Sequence, residues 1–302
     1  MIKWVIVAVI VMALTIVVGG VVKKMSNKIN PKDLFSGPML EVAQAVNSQD
    51  IEKIKQLASQ LDDINARGEH GVTLLVYAVI ANKLDAIKVL MELGSDPSID
   101  IPEQGNAGYI SMWHPDAKAL EVLLQSGMDP NLNEEGDPLI FHSHNIDESN
   151  SLPVLVQYGA DVNALNEKGE TPIFGMLSVQ FKNALYLLDH GADGHYVTSA
   201  GISVAYSVEF ELEHIDPNSE AYQTMLQIKE KLISQGVKFP ALSPWGERFV
   251  RDIVFCKEPS GDYPRSECKI EGVNPFVKEP SDEIKRQDEA ILKERYGIEH
   301  QF

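Results

Sequence analysis

The sequence predicts an all-α protein in which helix-turn-helix repeats of 32–33 residues form a solenoid behind one transmembrane helix. Two observations support this fold class. Four segments of the 302-residue chain end in a similar pattern around Gly94, Gly127, Gly159 and Gly191. A fixed period of this length is typical of solenoids, whose units bury their apolar faces only by stacking. The second observation is a long uncharged run close to the first residue.

Segment 1–24 is predicted to be a transmembrane signal anchor. Residues 4–22 carry no charge, while Lys3 precedes them and Lys23 and Lys24 follow. As a helix this run would span roughly 28 Å, close to the thickness of a bilayer's hydrocarbon core. A cleaved signal peptide usually has a shorter apolar region and a small-residue cleavage site, and neither is evident here. We therefore expect an uncleaved anchor, with cleavage as the alternative, and a linker over residues 25–36.

The orientation of this anchor follows from two opposing indications. The lysines after the span would place the domain in the cytoplasm by the positive-inside rule. However, Cys256 and Cys268, the chain's two cysteines, could form a disulfide in an oxidising compartment. We expect a single-pass protein of the bacterial inner membrane whose domain faces the periplasm and contains this disulfide. In the cytoplasm the two residues would be ordinary thiols.

The charge of the chain bears on its partners. Its 26 basic and 44 acidic residues give a net charge of −18. Such a surface repels phosphate backbones, so we expect no nucleic-acid binding. It would attract a basic protein, although solubility alone would also account for the charge.

Each repeat also has a recognisable beginning. The segment Gly169-Glu-Thr-Pro-Ile173 opens one unit, and Gly159-Ala-Asp-Val-Asn163 closes another. These motifs resemble the ankyrin repeat, and the resemblance covers residues 37–240 in five to six repeats. The histidine of the family's opening motif is absent from every unit. The resemblance implies paired helices, projecting fingers and a concave face that binds another protein.

Local chemistry agrees with these repeat boundaries. Thr73 and Thr171 are suited to cap first helices, and Pro138 and Pro172 to occupy a first helical position. The closing glycines suit the left-handed residue after a helix, and the following Asp-x-Asn suits a turn. The last repeat carries about a dozen extra residues, which we place between its two helices. Residues 241–302 form a C-terminal extension ending in a charged helix.

The resemblance places the candidate binding residues on the fingers and first helices. Trp113 is the strongest single anchor, since aromatic residues dominate interface energetics. Its alternative role is to fill the gap left by a shortened third repeat. The partner-binding residues predicted in this way are Tyr77, Asp100, Glu103, Trp113, His114, Glu134, Glu135, Phe141, His142 and Glu167.

The sequence contains no recognisable catalytic motif, so we expect no enzyme activity and no cofactor. His114, His142 and His144 are interpreted as surface histidines rather than metal ligands. Bacterial ankyrin proteins with an export segment are similar to immunity proteins, or antitoxins, that neutralise secreted effectors. These effectors include lipases, such as phospholipases, that are delivered by contact-dependent (type VI) secretion. We therefore expect a membrane-anchored immunity protein that sterically blocks a toxic, basic effector. The alternative is an inner-membrane scaffold or stress-response factor that binds an endogenous protein.

Overall fold

The computed structural model describes residues 29–251 and 280–302. The predicted anchor and both cysteines lie outside the described residues, so the anchor and the disulfide stay predictions. Within the part of the chain that is described, no helix combines the length and apolar character needed to cross a bilayer. The chain divides into two compact units, one ending at Asp161 and the other beginning at Val162.

The first unit is a stack of helical pairs. Its α-helices are α1 (Gly37–Ser48), α2 (Ile51–Ala58), α3 (Leu74–Ile80), α4 (Leu84–Glu92), α5 (Ala107–Ser111), α6 (Lys118–Gln125) and α7 (Ser151–Gln157), and short 3-10 helices span Pro31–Asp33, Glu69–Gly71 and Leu139–His142. First helices pack on first helices, α1 on α3 and α3 on α5, while α2, α4, α6 and α7 stack in a second row. The predicted sequential stacking is therefore confirmed.

The second unit continues the same pairing within its own residues. Its helices are α8 (Pro172–Met176), α9 (Phe181–Asp189), α10 (Val204–His214), α11 (Glu220–Ser234), α12 (Pro244–Phe249) and α13 (Asp282–Tyr296). Helices α12 and α13 pack together through the buried residues Leu242, Val250, Ile291 and Leu292. The C-terminal helix is therefore part of the folded second unit.

One finger departs from the all-α prediction. Strand β1 (Asn133–Glu134) pairs antiparallel with β2 (Asp137–Pro138). The two residues that join them, Glu135 and Gly136, have φ values of 51° and 91°. Two consecutive residues with positive φ are the signature of the tight hairpin turn that matches strand twist. The Glu-Gly pair thus closes a short ribbon that helical periodicity could not reveal.

The predicted helix caps are only partly correct. Thr73 accepts a hydrogen bond from the N–H of Val76 at 3.2 Å, as expected for an N-cap. Thr171 stands at the N-cap of α8 but its buried hydroxyl has no partner among the described residues. Pro172 is the first residue of α8, whereas Pro138 belongs to strand β2 and only precedes a 3-10 helix.

The Asp-x-Asn segments do more than form the predicted turns. Asp63 and Asp129 of these segments each accept a hydrogen bond from the N–H two residues later, at 2.8 Å. Asp96 and Asp193, which stand at the same place in Asp-Pro-Ser and Asp-Gly-His segments, do the same at 2.8 Å. The asparagines reach the following repeat. The side-chain oxygens of Asn65, Asn131 and Asn163 accept from the N–H groups of Asp96, Asp161 and Asp193 at 2.7–2.8 Å. Each asparagine therefore fastens one repeat to the next.

The expected insertion in the last repeat is wrong in its placement. Helices α10 and α11 contain 11 and 15 residues, whereas the paired helices α8 and α9 contain 5 and 9. Only residues 215–219 lie between α10 and α11. The additional residues lengthen both helices because their polar and apolar residues continue the helical pattern without a turn signal.

Candidate partner-binding surface

An aromatic cluster in the first unit joins two successive repeats. Tyr109 on α5 makes edge-to-face contacts with Trp113 and with His142, at ring-centroid distances of 5.8 Å and 5.3 Å. All three side chains are half-buried. Rings in this geometry stabilise one another beyond the area they bury, while the exposed part of each stays accessible. The cluster includes two predicted residues, Trp113 and His142, and one that sequence reasoning missed.

The missed residue, Tyr109, carried a detectable signal. It lies four positions before Trp113, a separation that places two side chains on the same face of a helix. Its N–H donates to the side chain of Asn106, at 3.0 Å, so the N-cap of α5 also fixes the tyrosine. A search for aromatic pairs at this spacing would have found it.

A buried carboxylate holds the hairpin finger against this cluster. Glu134 in β1 is 6% exposed, and its Oε2 accepts hydrogen bonds from the N–H and the side-chain amide of Asn106 at 3.0 Å and 2.6 Å. The backbone oxygen of Glu134 lies 3.2 Å from Nε2 of His142. The Glu134 carboxylate is thus turned inward in this structure, and its contact with a partner stays a prediction. Its hydrogen bonds to Asn106 are internal and position α5.

Two further predicted residues are also buried. Tyr77 is 0% exposed, its ring packs edge-to-face on Phe35 at 5.7 Å, and burial raises the pKa of its hydroxyl to about 12. His114 is 8% exposed and its Nε2 lies 2.9 Å from the carbonyl oxygen of Val79. Tyr77 contributes to the core between stacked repeats. Little of either side chain is exposed, and partner contact stays a prediction for both residues, of which His114 also lines the cavity described below.

The remaining predicted residues are accessible. Asp100, Glu103 and Glu135 are exposed in the fingers of the first unit, and Phe141 is half-buried. Glu167 is exposed in the second unit, in the segment before α8. Fingers tolerate these carboxylates because water solvates them. No contact with a partner is visible here, so their role in binding stays a prediction.

A cavity of about 250 Å³ opens beside the aromatic cluster. Trp113 forms part of its wall. Its lining is mostly apolar and consists of Ile29, Leu34, His70, Val72, Ile80, Gln104, Ile110, Trp113 and His114. The short α5 helix, which ends before Pro115, contributes Ile110 to this lining.

The described residues offer no grouping of three or more His, Cys, Asp or Glu side chains arranged to hold a metal ion. His142 approaches Tyr109 and the Glu134 backbone, while His114 contacts Val79. The hydrogen bonds and ring contacts of these histidines therefore belong to the internal packing of the first unit. The chemistry that the surface offers is aromatic contact and negative charge.

Comparison with solved structures decides the fold. An ankyrin repeat domain of Acinetobacter baumannii superimposes with a TM-score of 0.51 at 23% identity, covering 65% of this chain and 98% of that one. The ankyrin repeat domain of Bcl-3 gives a TM-score of 0.54 at 19% identity, covering 66% and 86%. The chain has the ankyrin-repeat fold. Ankyrin repeats stack into extended concave surfaces of the kind that bind other proteins.

One of two sequence relatives is itself an ankyrin repeat protein. Protein PhlB of Serratia liquefaciens is 30% identical over 153 residues, which are 50% of this chain and 66% of that protein. An ankyrin repeat protein of Rickettsia bellii is 24% identical over 177 residues, or 57% of this chain and 23% of that protein. The chain therefore spans just under two thirds of one relative and about a quarter of the other. No protein-family model matches the chain.

Proposed function

We propose that this protein is a membrane-anchored immunity protein whose ankyrin repeats bind a basic toxic effector in the periplasm and block it sterically. The supporting observation is the combination found in the first unit. Half-exposed rings of Tyr109, Trp113 and His142 lie in the same unit as finger tips that carry the exposed carboxylates Glu103 and Glu135. Aromatic side chains provide the buried centre of many interfaces, and complementary charge accelerates and orients the encounter.

The acidic surface favours a basic protein as the partner. An exposed carboxylate retains its hydration at little cost, so its main contribution to binding is long-range attraction and selection against acidic proteins. A cationic effector would be attracted, and its active site would be covered by a rigid stack of repeats. No catalytic group is needed for inhibition by this mechanism.

The anchor, proposed from residues 4–22, would place the inhibitor on the membrane that the effector attacks. A phospholipase is the effector class that best suits this placement, because its substrate is the bilayer itself. A scaffold for an endogenous protein is the competing function, and it would use the same surface.

A competition assay between bacterial strains tests the proposal and does not require the effector to be identified first. A strain lacking this gene is grown in contact with its parent, which still produces the effector. We expect the deletion strain to be killed unless it carries the full-length gene. Trp113→Ala and the pair Glu103→Gln/Glu135→Gln should each reduce protection at least tenfold.

A matched control is available on the second helices. Glu52 on α2 and Glu92 on α4 are exposed, so the pair Glu52→Gln/Glu92→Gln removes the same charge from another surface. This variant should protect fully. Survival of the deletion strain in contact with its parent would contradict immunity and favour the scaffold function. A phosphatase fused to the C-terminus should be active, and an inactive fusion would contradict a periplasmic domain.

A further inference from the structure

The cavity beside Trp113 has the dimensions and lining of a receptor for a side chain. Its volume of about 250 Å³ is below the range of roughly 300–1,000 Å³ usual for small-molecule sites. Of its lining residues, Val72 and Ile110 are almost fully buried, whereas Ile80 and Trp113 are half-buried. The cavity is therefore apolar inside and accessible from outside.

Three exposed carboxylates are sequence neighbours of residues that line the cavity. Asp33, Glu69 and Glu103 directly precede the lining residues Leu34, His70 and Gln104. None of these three carboxylates forms an ion pair within residues 29–251 and 280–302.

The nearby cations do not neutralise these acids. The described segments 32–34, 67–70 and 100–104 contain four acids, with Asp100, against the two cations Lys32 and Arg67. The Arg67 guanidinium donates to the carbonyl oxygen of Asp100 at 2.8 Å. These segments thus carry a net negative charge and also contribute residues to the apolar lining.

These features together specify what would bind. A bare aliphatic ligand would gain nothing from the carboxylates, and a hydrophilic cation would leave the apolar walls unused. A peptide segment that carries an apolar side chain next to a cationic one would contact both the apolar walls and the carboxylates. The exposed part of the Trp113 indole adds a surface that attracts Lys or Arg, since cations bind aromatic faces.

We infer that this cavity is the anchor pocket for one large apolar side chain of the protein partner, Leu, Met or Phe, with Lys or Arg within two positions of it. The inference rests on the proposed function, because it assigns the contact point of the same partner. It extends that function by naming a local motif that the partner must present.

Selection from a random dodecapeptide library tests the inference on the full-length chain in a mild detergent. Enriched peptides should share a large apolar residue with a basic neighbour. Gln104 is half-buried at the cavity wall, so Gln104→Trp should fill the opening and reduce the affinity of the best peptide at least tenfold. Gln56→Trp, at an exposed position on α2, is the matched control and should leave the affinity unchanged.

Two further variants distinguish the contribution of the cavity's shape to peptide binding from that of the nearby carboxylates. Ile80→Ala should enlarge the cavity and shift the selected anchor from Leu, Met or Phe towards Trp. The pair Glu69→Gln/Glu103→Gln should weaken the best peptide about threefold and reduce the salt dependence of its affinity, while Glu52→Gln/Glu92→Gln should not. Thermal melting of each variant shows that it is folded.

Several outcomes would overturn the pocket assignment. One is the selection of peptides that lack the paired apolar and basic residues, and another is peptide binding that Gln104→Trp leaves intact. A third is self-association of the wild type that Gln104→Trp abolishes, because that result would assign the cavity to a second copy of the chain. The two proposals fail separately. Protection by the Gln104→Trp variant in the competition assay would leave immunity standing without the pocket. Peptide binding with no protection by the wild type would leave the pocket without immunity.

Discussion

Glu247 on α12 is the described carboxyl group whose protonation is most strongly altered by folding. Burial raises its pKa to about 7, an effect that nearby Arg295 opposes and Asp288 reinforces. A carboxyl group with a raised pKa binds its proton more tightly in the folded state. It therefore contributes stability below its unfolded pKa, and that contribution is lost as pH rises through about 7.

We expect Glu247→Gln to remove this pH dependence. The wild-type second unit should lose thermal stability between about pH 5 and pH 8, and the variant should lose less and melt higher than the wild type at the upper end. The measurement is the unfolding temperature followed by circular dichroism. Glu283→Gln on the exposed side of α13 is the control, and equal behaviour of the two variants would contradict the assignment.

Asp288 shows why such a group is difficult to recognise in a sequence. It is 1% exposed, its Oδ2 accepts from the Ser243 hydroxyl at 2.5 Å, and its Oδ1 accepts from the Ser243 N–H at 2.9 Å. Burial raises its pKa despite these donors. In the sequence it is one acid among many on a charged helix, 45 residues from its partner.

The closing glycines are a second feature at the scale of single residues. Gly191 follows α9 with φ of 95°, and a Cβ added there would meet no atom within 4 Å. Only backbone strain therefore opposes a side chain. Gly191→Ala should lower the free energy of unfolding by about 1–2 kcal/mol.

Gly175 provides the comparison within the same repeat. It lies inside α8, where an added Cβ is also unobstructed and φ is not positive. Gly175→Ala should stabilise the protein by about 0.5–1 kcal/mol, because alanine is the better helix former. Equal effects of the two substitutions in chemical denaturation would show that the left-handed conformation is not what requires Gly191.

The repeat elements were largely predictable because their signals are local. Thr73 caps, the closing glycines take the left-handed conformation, and apolar residues recur at helical spacing. Whether a residue of a helix faces the core or a binding surface was harder to predict. Tyr77 was expected on a binding face but lies in the core, since an aromatic residue satisfies either role and only the packing of Phe35 against it decides.

Long-range hydrogen bonds between elements were not predictable. Glu134 follows the sequence pattern of a finger tip, yet its carboxylate points inward because Asn106, 28 residues earlier, presents two donors to it. The asparagine bridges between repeats were missed for the same reason. Their donors and acceptors lie about 30 residues apart in the chain.

These bridges support a prediction about the coupling of repeats. The Asn163 amide accepts from the Asp193 N–H at 2.8 Å and donates to the Gly191 carbonyl at 3.0 Å. Asn163→Ala removes both bonds and should cost about 1–3 kcal/mol. Asn163→Asp, which keeps an acceptor but loses the donor, should cost less. Hydrogen exchange at the Asp193 amide would report the loss directly, and unchanged protection would contradict the bridge.

At the scale of the molecule, the net charge follows from the sequence, but the binding surface does not. The net charge of −18 predicts attraction between this chain and basic proteins. It cannot show that Tyr109, Trp113 and His142 pack together, or that a cavity opens beside them, because both involve residues that are far apart in the sequence.

The position of Ile29 in the wall of the cavity has a consequence for how the protein would search for its target. Only five peptide units separate Ile29 from Lys24, a reach of at most roughly 18 Å. If residues 4–22 span the bilayer, the opening stays within that tether of the lipid surface. An effector that is itself adsorbed on the membrane would then meet the pocket by two-dimensional diffusion, at an effective concentration far above its value in the surrounding fluid.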